Sequence, residues 1–96
     1  MRRDAIIIHK QDNVATAIRD ITEDQTAIVG VEEEVLTMQV RQSIPFGHKF
    51  ALRQIQSGED ILKYGAVIGR AMQDIQAGEH VHVHNVESTR GRGDLA

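Results

Sequence analysis

Ala71-Met72-Gln73-Asp74-Ile75-Gln76-Ala77-Gly78-Glu79-His80-Val81 repeats, after twenty residues, the pattern of Ala51-Leu52-Arg53-Gln54-Ile55-Gln56-Ser57-Gly58-Glu59-Asp60-Ile61. A fainter copy, Ala17-Ile18-Arg19-Asp20-Ile21-Thr22-Glu23-Asp24-Gln25-Thr26-Ala27, carries Asp24 where the others carry glycine. Each copy reads as an apolar run, a polar turn centred on Gly-Glu, then a new β-type run. Glycine supplies the positive φ such a turn needs. Units this short and this few do not stack into a solenoid. They fit successive strand–turn–strand steps of one small, mainly β domain with short turns and little helix.

Other segments extend the same reading. Ala5 to His9 is an apolar run of strand length, and Ala27 to Val31 pairs with Val35 to Val40 across the acidic tip Glu32-Glu33-Glu34. Ile61-Leu62-Lys63-Tyr64-Gly65 and Ala66-Val67-Ile68-Gly69 are short β-prone stretches separated by glycine. Val14 to Asp20 suits a strand or a short helical stretch. The only proline, Pro45, ends one sheet segment and opens the turn Phe46-Gly47-His48-Lys49.

Composition narrows the function. The 96 residues make a single domain with a modest core, and aromatics are 3% of them, so Ile, Val, Leu and Ala must fill it. So thin a core suggests burial against another chain and self-association. The net charge is −3, and no basic cluster precedes the tail, which argues against nucleic acid and anionic membrane as partners. No cysteine is present, so disulfides, thiol nucleophiles and thiolate metal sites are excluded and any metal is held by nitrogen and oxygen. The N-terminal apolar run is shorter than a signal peptide requires, and nothing approaches a membrane span. The chain reads as cytoplasmic.

Chemistry concentrates in Gly78-Glu79-His80-Val81-His82-Val83-His84-Asn85, which holds three of the five histidines. As a strand from Glu79 to Val86 it would send His80, His82 and His84 to one face. Cα atoms two apart in a strand are separated by about 6.6–6.8 Å, so one ion takes His80 with His82 or His82 with His84, and all three only around a bend. The plain alternative is a solvated edge strand. His48 and Lys49 follow the proline turn on a stiff backbone. Lys63 beside Tyr64 offers a cation for a carboxylate or sulfonate. Asp12-Asn13 caps a turn in the simplest reading, with Asn13 also able to meet a ligand.

Four blocks together resemble a known family. These are Asp12-Asn13-Val14-Ala15, Ile44-Pro45-Phe46-Gly47-His48-Lys49-Phe50-Ala51-Leu52, Ile61 to Gly65 with Ile68-Gly69, and Gly78 to Asn85. In order and over nearly the whole chain, they are similar to the N-terminal SAF domain of altronate dehydratases and the small subunit of sulfolactate sulfo-lyase. Galactarate dehydratase resembles the chain in the Gly-His-Lys and Tyr-Gly blocks but lacks the triple-histidine run.

The resemblance implies a compact β-clip (SAF-like) domain, taken as residues 1–87; the small, locally basic tail 88–96 reads as flexible from its composition, and the resemblance makes it the start of the link towards a larger catalytic subunit or domain. It implies a lyase that dehydrates a sugar acid of the altronate type to a 2-keto-3-deoxy acid and depends on Fe2+ or a similar divalent metal. His48, His82 and His84 are then candidate catalytic groups, His80, His82 and His84 candidate metal ligands, and Asn13, Lys49, Lys63 and Asn85 candidate substrate contacts. A sulfolactate-cleaving subunit and a non-catalytic sugar-acid-binding or assembly module are the competing readings.

Overall fold

The computed structural model describes residues 2–88, and every regular element among them is a strand. The strands are β1 (Ala5–Ile7), β2 (Val14–Ala17), β3 (Thr26–Val31), β4 (Glu34–Gln39), β5 (Lys49–Ala51), β6 (Asp60–Lys63), β7 (Ala66–Ala71), β8 (His80–Val81) and β9 (Val86–Ser88). A six-stranded sheet runs β4-β3-β1-β2-β5-β8 and a three-stranded sheet runs β6-β7-β9. All pairings are antiparallel except β1 with β3. Among the described residues no helix is long and apolar enough to cross a membrane.

Two hairpins follow the expected pattern. β3 pairs with β4 from Thr26↔Gln39 to Val31↔Glu34 around the acidic tip. β6 and β7 meet across Tyr64 and Gly65, whose φ values of 57° and 74° suit the mirror-image turn that matches strand twist. Buried Asp12 accepts both amides of that turn, Tyr64 N at 2.9 Å and Gly65 N at 2.8 Å, and also caps His9 N. The Asx cap read from the sequence therefore ties two turns together.

The repeat proves richer than its sequence. The copies beginning at Ala51 and Ala71 are reciprocal partners: Ile55 and Ile75 exchange backbone hydrogen bonds of 2.8 and 2.7 Å, Gly58 N donates to Ala71 O, and Gly78 N to Ala51 O. The copy beginning at Ala17 has an equivalent partner beginning at Val40. Ile21 and Ile44 exchange bonds of 2.9 and 2.8 Å, Asp24 N donates to Val40 O, and Gly47 N to Ala17 O. Asp24 and the three glycines all have positive φ, between 67° and 88°.

Each reciprocal pair builds its own core. Ala17, Ile21, Val40 and Ile44 pack with Phe50 in one cluster, and Ala51, Ile55, Ala71 and Ile75 with Ile61 and Val81 in the other. Strand β5 stands between them, since fully buried Phe50 belongs to the first and fully buried Ala51 to the second.

One expectation is overturned. Glu79 to Val86 is not a single strand; β8 ends at Val81, a turn occupies 82–85, and β9 begins at Val86. Ser88 closes β9, and the rest of the expected tail, 89–96, lies outside the described residues.

Candidate functional site

Asn85 bends the histidine run. Its side chain is 1% exposed, its Oδ1 accepts from His82 N at 3.0 Å, and its Nδ2 donates to His80 O at 2.9 Å. Asn85 N closes the turn on His82 O at 3.1 Å. This compact Asx turn outcompetes the alternating pattern because the buried amide satisfies backbone groups that a continued strand would leave to a missing neighbour. The His80 amide is itself fixed by Gln42 Oε1 at 2.8 Å.

β5 pairs with β8 at Lys49↔Val81 and Phe50↔His80, which carries His48 to the bend. His48 Nδ1 lies 2.9 Å from His80 Nε2. The ring centroid of His48 is 4.2 Å from that of His82 and 5.1 Å from that of His80, all roughly parallel. One nitrogen from each of His48, His80 and His82 falls within a common span of 4.8 Å. His84 is exposed and tilted against His80, with centroids 5.3 Å apart. The structure thus gathers His48, His80 and His82, whereas the sequence pointed to His80, His82 and His84 for a metal and to His48, His82 and His84 for catalysis.

The gathered set fits a divalent ion. Two imidazole nitrogens bound at about 2.0–2.1 Å to one ion lie roughly 3 to 4 Å apart, depending on the angle between them. The spacing of 2.9 Å between His48 and His80 is at the near end, and 4.8 Å asks for a small side-chain adjustment. Three imidazoles leave further coordination positions for water or substrate oxygens. Burial, reinforced by the charges of His48, His84, His82 and Lys49, holds His80 down at about 4, so its ring is neutral at ordinary pH. Burial followed by His48, Lys49 and His84 lowers His82 as well.

Beside the cluster, a cavity of about 220 Å³ is lined by Lys49, Ile68, His82, Val83, Val86 and Ser88. Lys49 is half-buried there, and burial together with the positive charge of Lys63 lowers its pKa. Lys63 Nζ sits 4.7 Å from the centroid of exposed Tyr64. Asn13 and Asn85, both read from the sequence as substrate contacts, are turned inward. Asn13 is 2% exposed; its Nδ2 donates to Asp60 O at 2.9 Å and its Oδ1 accepts from Leu62 N at 2.8 Å. Each amide is committed to backbone at both ends.

Residues 3–89 match the altronate/galactarate dehydratase SAF domain. The chain belongs to that family. It is 45% identical over 83 residues to altronate dehydratase of Bacillus subtilis (strain 168), covering 86% of this chain and 16% of that protein. Over 59 residues it is 46% identical to (2R)-sulfolactate sulfo-lyase subunit alpha of Chromohalobacter salexigens, covering 62% of this chain and 63% of that subunit. The corresponding subunit of Paracoccus pantotrophus is 33% identical over 63 residues, 66% of this chain and 94% of its own length. As an SAF domain the chain is a module associated with dehydratases and lyases, and it spans only 16% of the altronate dehydratase it matches.

Proposed function

We propose that this SAF domain brings a divalent-metal site, formed by His48, His80 and His82, to a lyase that dehydrates a sugar acid of the altronate type to a 2-keto-3-deoxy acid. The observation that carries the reading is the convergence within 4.8 Å of three imidazole nitrogens from two segments of the chain, His48 before β5 and His80 and His82 at β8. A bound ion such as Fe2+ supplies Lewis acidity for eliminating a hydroxyl next to a carboxylate.

The chain's own residues have distinct tasks in this reading. His48, His80 and His82 offer neutral nitrogen donors. Exposed His84, beside His80 and outside the gathered set, donates a proton to the departing hydroxyl, which leaves as water, while a base of the larger remainder takes the proton next to the carboxylate. Lys49, in the wall of the adjoining cavity, binds the carboxylate, and Lys63 adds to the positive potential there. The larger remainder of the lyase supplies the other groups of the site.

One observation favours a second substrate class. The matched region covers 94% of the Paracoccus sulfo-lyase subunit, so nearly all of that subunit is similar to this domain. In addition, Asn13 and Asn85 bond to backbone, which removes two polar groups that would favour a polyol acid and leaves Lys49 and Lys63 for an anion. The deciding experiment joins the domain to its large partner and follows keto-acid formation from altronate and sulfite release from sulfolactate, with and without His82→Ala. Keto acid that disappears with the variant supports the proposal. Sulfite alone transfers the site to the second class, and unchanged turnover in the variant removes the histidines from the chemistry.

A further inference from the structure

The turns that follow Ile21, Ile44, Ile55 and Ile75 share one backbone bond. The amide of the fourth residue after the isoleucine donates to the carbonyl of the first: Gln25 to Thr22, His48 to Pro45, Glu59 to Gln56 and Glu79 to Gln76, at 2.9 to 3.0 Å. Three of the turns add a second bond in the opposite direction. The side chain of the fourth residue accepts the amide of the first, with Thr22 N donating to Gln25 Oε1 at 3.1 Å, Gln56 N to Glu59 Oε1 at 3.0 Å and Gln76 N to Glu79 Oε1 at 2.8 Å. The fourth residue's side chain is therefore held against its own turn.

The turn after Ile44 lacks that second bond for a covalent reason. Its first residue is Pro45, which has no amide hydrogen. The side chain of the fourth residue, His48, has nothing to cap and reaches His80 instead, at 2.9 Å. We propose that Pro45 is a positioning residue. By deleting the donor that ties this position down in the sister turns, it releases His48 to the histidine cluster. The value of that release for metal binding rests on the reading given above, whereas the release itself does not.

A proline that merely stiffened the turn would act independently of residue 48. The test is a cycle of Pro45→Ala, His48→Gln and the double variant of the full chain, with stability measured in urea and affinity measured by titration with cobalt(II). Pro45→Ala restores the donor, so His48→Gln is expected to favour folding more in the Pro45→Ala background than beside proline, by about threefold or more in the unfolding constant. With His48 in place, the restored donor competes for its ring, and cobalt affinity is expected to fall by about three- to tenfold. Additive stabilities, or cobalt affinity equal to that of the unaltered chain, overturn the proposal. An unaltered chain that binds no cobalt refutes the metal reading, and the stability cycle still decides the role of Pro45. Should Pro45→Ala fail to fold, Gln76→Pro poses the converse test: Glu79→Ala is expected to destabilise the unaltered chain and to have no further effect beside the new proline, and equal effects overturn the idea.

Discussion

His48 Nδ1 and His80 Nε2 face each other at 2.9 Å, across 32 residues of sequence, so one of these nitrogens carries a hydrogen and the other accepts it. An ion bound by both must find two lone pairs. The donor ring then has to move its hydrogen to its other nitrogen, and binding by this pair is coupled to a change of tautomer. Imidazole nitrogen NMR shifts of the two rings, recorded during a titration with zinc(II), are expected to show that exchange of tautomer in one ring. Unchanged shifts in both would place the ion elsewhere.

The gathered set and its neighbour should separate by mutation. His48→Ala, His80→Ala and His82→Ala are each expected to weaken cobalt(II) binding by about tenfold or more, since each removes one nitrogen donor. His84→Ala should leave affinity within about threefold of the unaltered chain. Calorimetric titration of the four variants distinguishes this set from the one read as a strand face.

The low proton affinity of His80 has a signed consequence for stability. Its folded value of about 4 lies below the ordinary 6.5, so the unfolded chain binds more protons between those values. Folding free energy from this group is fully present above about pH 6.5, declines as pH falls towards 4 and changes no further below it. Urea midpoints measured from pH 7 to pH 4 are expected to drop, and His80→Gln should flatten that drop. A slope unaffected by the substitution would show that another group controls it.

The two buried asparagines allow a matched comparison. Asn85→Ala and Asn13→Ala each remove the asparagine partner of a part-buried backbone amide and carbonyl, at a cost of about 1–3 kcal/mol apiece. Asn85→Ala should also reduce cobalt affinity, because the bend that carries His82 towards His48 is lost. Asn13→Ala should spare it. Denaturation and metal titration of the same two proteins read both effects.

Two glycines at equivalent turn positions differ in their surroundings. A Cβ at Gly58, with φ +88°, meets nothing within 4 Å, so Gly58→Ala costs only the conformational term of about 1 kcal/mol. A Cβ at Gly78, with φ +86°, would lie 2.5 Å from Gln39 O, a backbone atom that cannot rotate away. Gly78→Ala is expected to cost roughly two to three times as much, which thermal melts of the pair would reveal.

Much of the fold was legible where one rule governed a segment. The hairpin of β3 and β4 is legible from two β-prone runs around an acidic tip, and the Tyr64-Gly65 turn and the repeated Ile-x-x-Gly steps from glycine chemistry. The repeat's missing member is hidden because Pro45 and His48 stand where its sisters have Gln or Thr and Glu or Gln, so these two departures mask its kinship. The histidine run misled for a related reason. Alternation is a local signal, whereas the bend depends on Asn85 having a buried place to put its amide. His48 and the distant run were each picked out, but their meeting depends on β5 pairing with β8, which no local pattern encodes.

Strand β5 is a party wall. Because Phe50 belongs to one core and the adjacent Ala51 to the other, neither half can loosen without disturbing the surface on which its neighbour rests. His48 and Lys49 stand at the end of that wall, and His82 reaches them from a turn rooted beside the second core. The imidazoles therefore work as an alignment gauge for the two halves. A slight shear between the cores would separate the rings before either core exposed its isoleucines, so the metal binding proposed for this corner is expected to be lost before the fold.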